Sequence, residues 1–400
     1  MKRLIAACLG LLPALVIASH VVIPEARAQQ TSKTIKIGVI LPFSGQFADT
    51  GIQLDNGIKL YMQQHGDTVA GKKIEIIRKD VGGIAPEVAK RLAQELVVRD
   101  NVDILAGFAL TPNALAAADV SAQAKKFMVV MNATTSIITT KSPYIARTSS
   151  TTPQIDEVFG DWAAKQGMKT VYTIVSDYGP GIDSETAFIR GFTAAGGKVA
   201  GSVRVPVANP DFSAFVQRAK DANADAIFMF VPGGAQPAAL GKALVSRGLT
   251  PKTTKILGNG EITMEDALKN MGDDAVGIIT VFHYDPSHDS AQNRQFITAY
   301  VKAFGRSPDF FSVGGYDGMR LIYEALTKTG GNTGGQALID AAKGMAWESP
   351  RGPIAIDKDT RDIVQTVYIR RVEKVDGRLV NVEFDHIDNV KDPVKARTPQ

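Results

Sequence analysis

The chain has 400 residues, 44% hydrophobic and 22% charged, with a formal net charge of +4 and one cysteine. That length and apolar content suffice for two domains with substantial cores, and the lack of any Lys/Arg run gives no reason to expect nucleic acid as a partner. The one thiol, Cys8, falls in the first dozen residues, so disulfide, zinc–thiolate and cysteine-nucleophile chemistry are not expected of the folded part.

Lys2 and Arg3 precede an apolar stretch from Leu4 to Ile23, and Ala26-Arg27-Ala28 supplies a small-x-small cleavage site. This three-part pattern predicts a cleavable signal peptide over residues 1–28 and an exported mature chain. Cleavage after Ala28 leaves 372 of the 400 residues and takes the net charge from +4 to +2.

From Ile35 onward the pattern is strand, loop, helix, repeated. Strands are expected at "IKIGVIL" (35–41), "KIEIIRKD" (73–80), "VDILAGF" (102–108) and "FMVVM" (127–131). Further strands follow at "TVYTIVS" (170–176), "AIFMFV" (226–231), "TKILG" (254–258) and "VGIITVF" (276–282). Several are almost continuously apolar, as parallel strands covered on both faces should be. Pro86 to Arg99 sets Val88, Leu92 and Leu96 on one stripe, and Gln292 to Phe304 does the same with Phe296, Tyr300 and Phe304. The alternation predicts an α/β fold with parallel-rich, doubly wound sheets. It breaks in the Ser/Thr-rich stretch 134–152 and again at "HYDPSHDS" (283–290), where a chain passing between two lobes would place its crossings. The tail adds strands at "IVQTVYIR" (363–370) and "RLVNVEF" (378–384).

In open parallel sheets, ligands bind beyond the carboxyl ends of the strands, where helix N-termini point. There this chain has "PFSGQFADTG" (42–51), "ALTPN" (109–113) and "NATTS" (132–136), hydroxyl-rich loops without a Lys or Arg. Such donors suit one carboxylate or a neutral polar group, whereas phosphates usually meet a cation. Thr111 could equally cap its own helix, with Pro112 as the first helical residue. The later strand ends, "SDYGPGID" (176–183), "PGGAQPAAL" (232–240) and "GNGEIT" (258–263), bring Tyr178, a small-residue loop and Glu261. Glu261 could cap a helix or pair with a ligand's ammonium.

Nucleophile-elbow, phosphate-loop and dinucleotide fingerprints are missing, so an enzyme is not expected. His283, Asp285, His288 and Asp289 could be drawn as a metal site, but their spacing fits no helix face. No metal and no cofactor are expected.

The leader, "IKIGVILPFSGQFADTG", "ILAGFALTPNALA", "FMVVMNATTS", "VSDYGPG" and "FFSVGGYDGMRLIYEAL" together resemble the type I periplasmic solute-binding proteins of ABC importers. The branched-chain and hydrophobic amino acid receptors are the group most resembled, and the likeness runs through the whole mature chain. It implies two Rossmann-like lobes joined by three crossing segments. Residues 33–150 and 284–360 would form the first lobe, 151–283 and 361–390 the second, and 391–400 a tail. By position, Thr111 and Thr134, with Ala133 beside it, would hold the ligand carboxylate. Tyr178 and Glu261 would come from the second lobe, Phe311 would form an aromatic wall, and a first-loop contact would fall at Phe47 or as far on as Thr50. Ala235 stands where the amino acid receptors carry an aromatic, which implies a roomier pocket. Several stretches also resemble receptors for aromatic carboxylates. The resemblance thus implies a monomeric receptor for a hydrophobic amino acid or an aromatic acid, delivering it to an inner-membrane ABC permease. An amide or urea receptor, or a ligand-sensing ectodomain, are the alternatives.

Overall fold

The computed structural model describes residues 34–208 and 210–397, with only the backbone at Asp266; the expected signal peptide and residues 398–400 lie outside the described residues. The first lobe is built on β1 (Ile35–Leu41), α1 (Ala48–His65), β2 (Thr68–Val69), β3 (Lys72–Asp80) and α2 (Pro86–Val98). It continues through β4 (Ile104–Gly107), α3 (Thr111–Ala124), β5 (Phe127–Val130) and β6 (Ile145–Arg147). Its six strands run in the order β2-β3-β1-β4-β5-β6, all parallel except the short β2.

The second lobe repeats the plan with α4 (Thr152–Lys165), β7 (Thr170–Ser176), α5 (Gly179–Ala194), β8 (Lys198–Val205) and α6 (Ser213–Asp221). Then come β9 (Ala226–Phe230), α7 (Gln236–Ser246), β10 (Lys255–Asn259), α8 (Glu265–Met271) and β11 (Ile279–Phe282). Helices α9 (Ala291–Phe304), α10 (Phe310–Lys328) and α11 (Gly335–Ala342) return to the first lobe, α9 packing on α1 and the other two on the first sheet. Strands β12 (Ala346–Ser349), β13 (Gly352–Ile356), β14 (Ile363–Val375) and β15 (Arg378–Val390) finish the second sheet antiparallel, and α12 (Pro393–Arg397) follows.

Sequence pattern accounts for these elements. All four residues of β4 and of β5 and all five of β9 are buried, as continuously apolar strands between helical layers must be. In α2 the stripe buries Leu92 and Leu96 while Val88 packs at its edge; in α9 Phe296 and Tyr300 are buried with Phe304 beside them. Within each lobe the first strand lies between two neighbours reached in opposite directions: β1 between β3 and β4, and β7 between β8 and β9. Both are switch points, where loops diverge and leave a crevice beyond the strand ends.

The chain crosses between lobes around 148–151, 283–290 and 343–345. One boundary differs from expectation. Residues 346–356, placed with the first lobe from sequence, form the β12–β13 hairpin, whose Ile354 and Ile356 pair with Gln365 and Ile363 of β14 in the second sheet. The expected tail is tied down: Ser136 Oγ donates to Asp392 Oδ2 at 2.5 Å, and Lys395 pairs with Asp362.

Buried ion pairs brace the crossings. Arg351 pairs with Asp317 at 3.0 Å, both fully buried, and donates to the Thr148 carbonyl of the first crossing. Trp347 Nε1 and Ser349 Oγ also donate to Asp317, at 3.1 and 2.8 Å. The residues of "HYDPSHD" part ways. His283 is buried against Phe282 and Phe310, Asp285 pairs with Arg370 at 3.0 Å, His288 meets Glu383 at 2.9 Å, and Asp289 pairs with Arg294. Among the described residues no cluster of three or more His, Cys, Asp or Glu side chains could hold a metal, and no helix is long and apolar enough to cross a membrane.

Candidate ligand-binding site

A small cavity lies where the two switch points face each other. The first lobe lines it with Phe47 and Thr50 after β1, Leu110 and Thr111 after β4, and Asn132, Ala133 and Thr134 after β5. The second lobe contributes Tyr178 after β7, Gly233 after β9 and Glu261 after β10; Phe311, at the start of α10, closes one side. Seven of the eight expected site residues therefore share one cavity, and the first-loop contact extends over both Phe47 and Thr50.

On the first-lobe side the groups are neutral donors. Helix α3 begins with Leu110 as its N-cap and no side-chain cap, and Thr111 and Pro112 are its first helical residues. The alternative that Thr111 caps its own helix does not hold: the Thr111 hydroxyl instead donates sideways to Thr135 Oγ1 at 3.1 Å. Free N–H groups at the head of a 14-residue helix favour an anion through their own polarity and the helix dipole. Asn132 is anchored by donating to the Ala109 carbonyl at 2.8 Å, whereas the Thr134 hydroxyl has no partner among the described residues. No Lys or Arg lines the cavity. A cation is buried behind the first-lobe wall: Arg147 donates to the carbonyls of Ala133 (2.9 Å) and Thr135 (2.8 Å) and pairs with Asp362 at 3.0 Å. It fixes the loop's shape, and its charge is already matched.

The second-lobe side is aromatic and acidic. Tyr178 is the N-cap residue of α5, and its ring lies 6.4 Å from Phe230. Burial pushes its phenol well above the usual tyrosine value, so it is a neutral hydroxyl at physiological pH. Glu261 sits in a short 3-10 turn and accepts a hydrogen bond from the Gly233 N–H. Burial, with a smaller contribution from Asp156, pushes its carboxyl up to about 8 despite that bond.

Ala235 does not belong to this site. It is exposed at the N-cap of α7 and borders an open groove outside the cavity. The small residue facing the cavity is Gly233, two positions earlier. A Cβ there would lie 2.7 Å from Phe311 Cζ and 3.2 Å from Glu261 Oε2, so glycine is what lets the Phe311 ring and the Glu261 carboxyl pack directly against this loop. Sequence reasoning had the loop but not its register, because no strand or helix period runs through "PGGAQP". It also missed Asp156, Asn259 and Leu110, which carry no motif.

The sequence matches the family described as "Periplasmic binding protein" over residues 34–378. The Leu/Ile/Val-binding protein homolog 6 of Brucella melitensis is 44% identical over 362 residues, covering 90% of this chain and 93% of that protein. Among solved structures, a solute-binding protein of Rhodopseudomonas palustris BisB5 in complex with 3,4-dihydroxybenzoic acid is 55% identical, with a TM-score of 0.87 over 90% of this chain and 99% of that one. Another, from R. palustris HaA2 in complex with p-hydroxybenzoic acid, is 43% identical with a TM-score of 0.88, covering 92% of this chain and all of the other. The leucine-binding protein LivK of Thermotoga maritima shares the fold at 23% identity and a TM-score of 0.78, covering 89% and 99%. Two lobes with matching switch points, a cavity between them and likeness over nearly the full length agree: the chain belongs to the periplasmic binding protein family.

Proposed function

We propose that the protein is a periplasmic receptor that closes its lobes around a hydroxylated aromatic carboxylate and presents it to an inner-membrane ABC permease. The observation that carries this reading is the division of the cavity. One wall offers an uncapped helix N-terminus and hydroxyls without a cation; the other offers rings and a carboxyl that burial pushes up to about 8, so that it is neutral near pH 7. Thr111, Thr134 and the backbone around Ala133 would take the carboxylate. Charge-assisted hydrogen bonds contribute roughly 1.5–3 kcal/mol each, so a few of them hold one carboxylate without a salt bridge. Phe47, Phe311 and Tyr178 would enclose the ring, whose burial contributes roughly 1.5–3 kcal/mol. The hydroxybenzoates bound by the two R. palustris relatives support this class of ligand. In this reading the protein works as a monomer, exported by cleavage after Ala28, and catalyses no reaction.

A branched-chain amino acid is the second reading, favoured by the name of the Brucella relatives and by a carboxyl within the cavity. Calorimetric titration with 4-hydroxybenzoate, 3,4-dihydroxybenzoate, benzoate, leucine and acetamide separates the readings. The hydroxybenzoates are expected to bind most tightly; tighter binding of leucine would reverse the assignment, and of acetamide would favour the amide class.

A further inference from the structure

Asp156 is a carboxyl with no evident structural employment. It lies one turn inside α4, fully buried, and no Lys, Arg or His pairs with it among the described residues. Asn259 Nδ2 donates to its Oδ1 at 3.2 Å, and the Ser184 hydroxyl on α5 faces it. Asn259 also joins it to the cavity, since its Oδ1 accepts from the Glu261 N–H at 3.5 Å. Glu261 in turn accepts from Gly233 and likewise has no cation partner among the described residues. Asn259 thus bridges the Asp156 carboxyl to the main chain of Glu261 at the second lobe's wall.

We infer that Asp156 and Glu261 act as one buried pair that retains a proton, and that this proton selects ligands bearing a neutral ring hydroxyl over ligands bearing an ammonium. The inference rests on the receptor reading above and specifies what the far wall recognises. Two buried negative charges in one wall, neither with a counter-ion among the described residues, are strongly disfavoured in a low-dielectric interior, so the pair keeps a proton. A ring hydroxyl can hydrogen-bond to the protonated carboxyl and leaves the proton count unchanged. An ammonium calls for an ionised carboxylate, and its arrival expels the proton to solvent. Asp156 is out of reach of the ligand, since it does not line the cavity; its role is to position the proton on Glu261.

Every neighbour leaves that proton in place. Tyr178, from α5, is itself neutral. Arg370, from β14, donates to the Gly260 carbonyl at 3.3 Å, but its charge is matched by Asp285. Strand β9 presents only the Gly233 N–H, and α10 only the Phe311 ring. Burial pushes Asp156 up to about 7 and Glu261 up to about 8. A ligand needing the protonated Glu261 therefore binds with constant affinity below about pH 8 and loses up to about tenfold per pH unit above it.

The test is titration calorimetry between about pH 6 and 9, in two buffers of different ionisation enthalpy so that protons are counted. The ligands are 4-hydroxybenzoate and 4-(aminomethyl)benzoate, which exchanges the hydroxyl for an ammonium on the same ring acid. The full mature chain should bind 4-hydroxybenzoate without proton release at pH 7 and more weakly above pH 8. The aminomethyl ligand should release a proton or fail to bind. Asp156→Asn should move the fall in affinity to lower pH, because its smaller contribution to raising Glu261 is gone while burial remains. Glu261→Gln should leave only the fall that belongs to the ligand's own hydroxyl. Affinity for 4-hydroxybenzoate that rises with pH, or an unshifted profile in Asp156→Asn, would overturn the inference alone. Failure to bind any aromatic carboxylate would overturn the receptor reading and this inference with it.

Discussion

At Thr111 the hydroxyl turns sideways to Thr135 instead of upward to its own helix, which leaves the first N–H groups of α3 for another acceptor. Hydroxyl protons rotate, so an arriving carboxylate can take the Thr111 proton while Thr135 donates back to Thr111. Replacing Thr111 by Val keeps the shape and removes one such bond. Because a hydrogen bond to a charged group contributes roughly 1.5–3 kcal/mol, affinity for 4-hydroxybenzoate should fall about 10- to 100-fold. Titration calorimetry measures this, and an unchanged affinity would remove Thr111 from the carboxylate site. Single residues were legible in the sequence wherever a polar type stood out at a strand end: Thr111, Thr134, Tyr178 and Glu261 all reach the cavity. Gly233 was not, because it contributes by having no side chain, and Ala235 took its place in the reading. Asp156 was hidden for another reason: nothing in the sequence separates a buried acid on a helix from an exposed one.

Elements were read best where burial imposes a period. The strand β1 spans the seven residues Ile35–Leu41 that its apolar run predicted, and β7 likewise spans Thr170–Ser176. Of the unpredicted strands, β2, β8 and β12 lie at edges: β8 has three exposed residues at its start, and β12 alternates exposed with buried, so neither shows a continuous apolar run. The Ser/Thr-rich stretch read as a polar crossing proves largely interior. Thr135, Ser136, Thr139, Ser142 and Thr148 to Thr152 are all buried, with short hydroxyls filling space beside Arg147 and Asp362. The crossings are therefore packed joints whose stiffness rests on pairs such as Asp317 and Arg351. Asp317→Asn keeps the volume but leaves the Arg351 charge buried without its counter-ion. Removing one partner of a buried pair typically costs about 3–5 kcal/mol, and urea denaturation of the ligand-free protein should show a loss of that order. A loss below about 1 kcal/mol, the range of exposed pairs, would mean that water reaches Arg351.

For the molecule as a whole, the lobes are in contact across the cavity, and Gly179 marks where they meet. A Cβ on this first residue of α5 would lie 2.9 Å from Thr135 Oγ1 and 3.5 Å from Thr111 Cγ2, both on the opposite lobe. Its φ is not among the positive values, so a larger residue there strains nothing within the second lobe itself. The obstruction arises only on closure. Ligand capture needs the closed form to be favoured, and a shift from 1:99 to 99:1 requires about 10⁴-fold preference, which contacts from both walls supply together. Gly179→Val should therefore leave the thermal midpoint of the ligand-free protein close to that of the parent while removing most of that preference. Affinity for 4-hydroxybenzoate should drop by at least about 100-fold. Small-angle scattering should show the parent contracting when ligand is added and the variant keeping its ligand-free radius of gyration. Contraction of the variant to the same extent would mean that the lobes close without bringing Gly179 against Thr135, and that the first-lobe hydroxyls meet the ligand in some other arrangement.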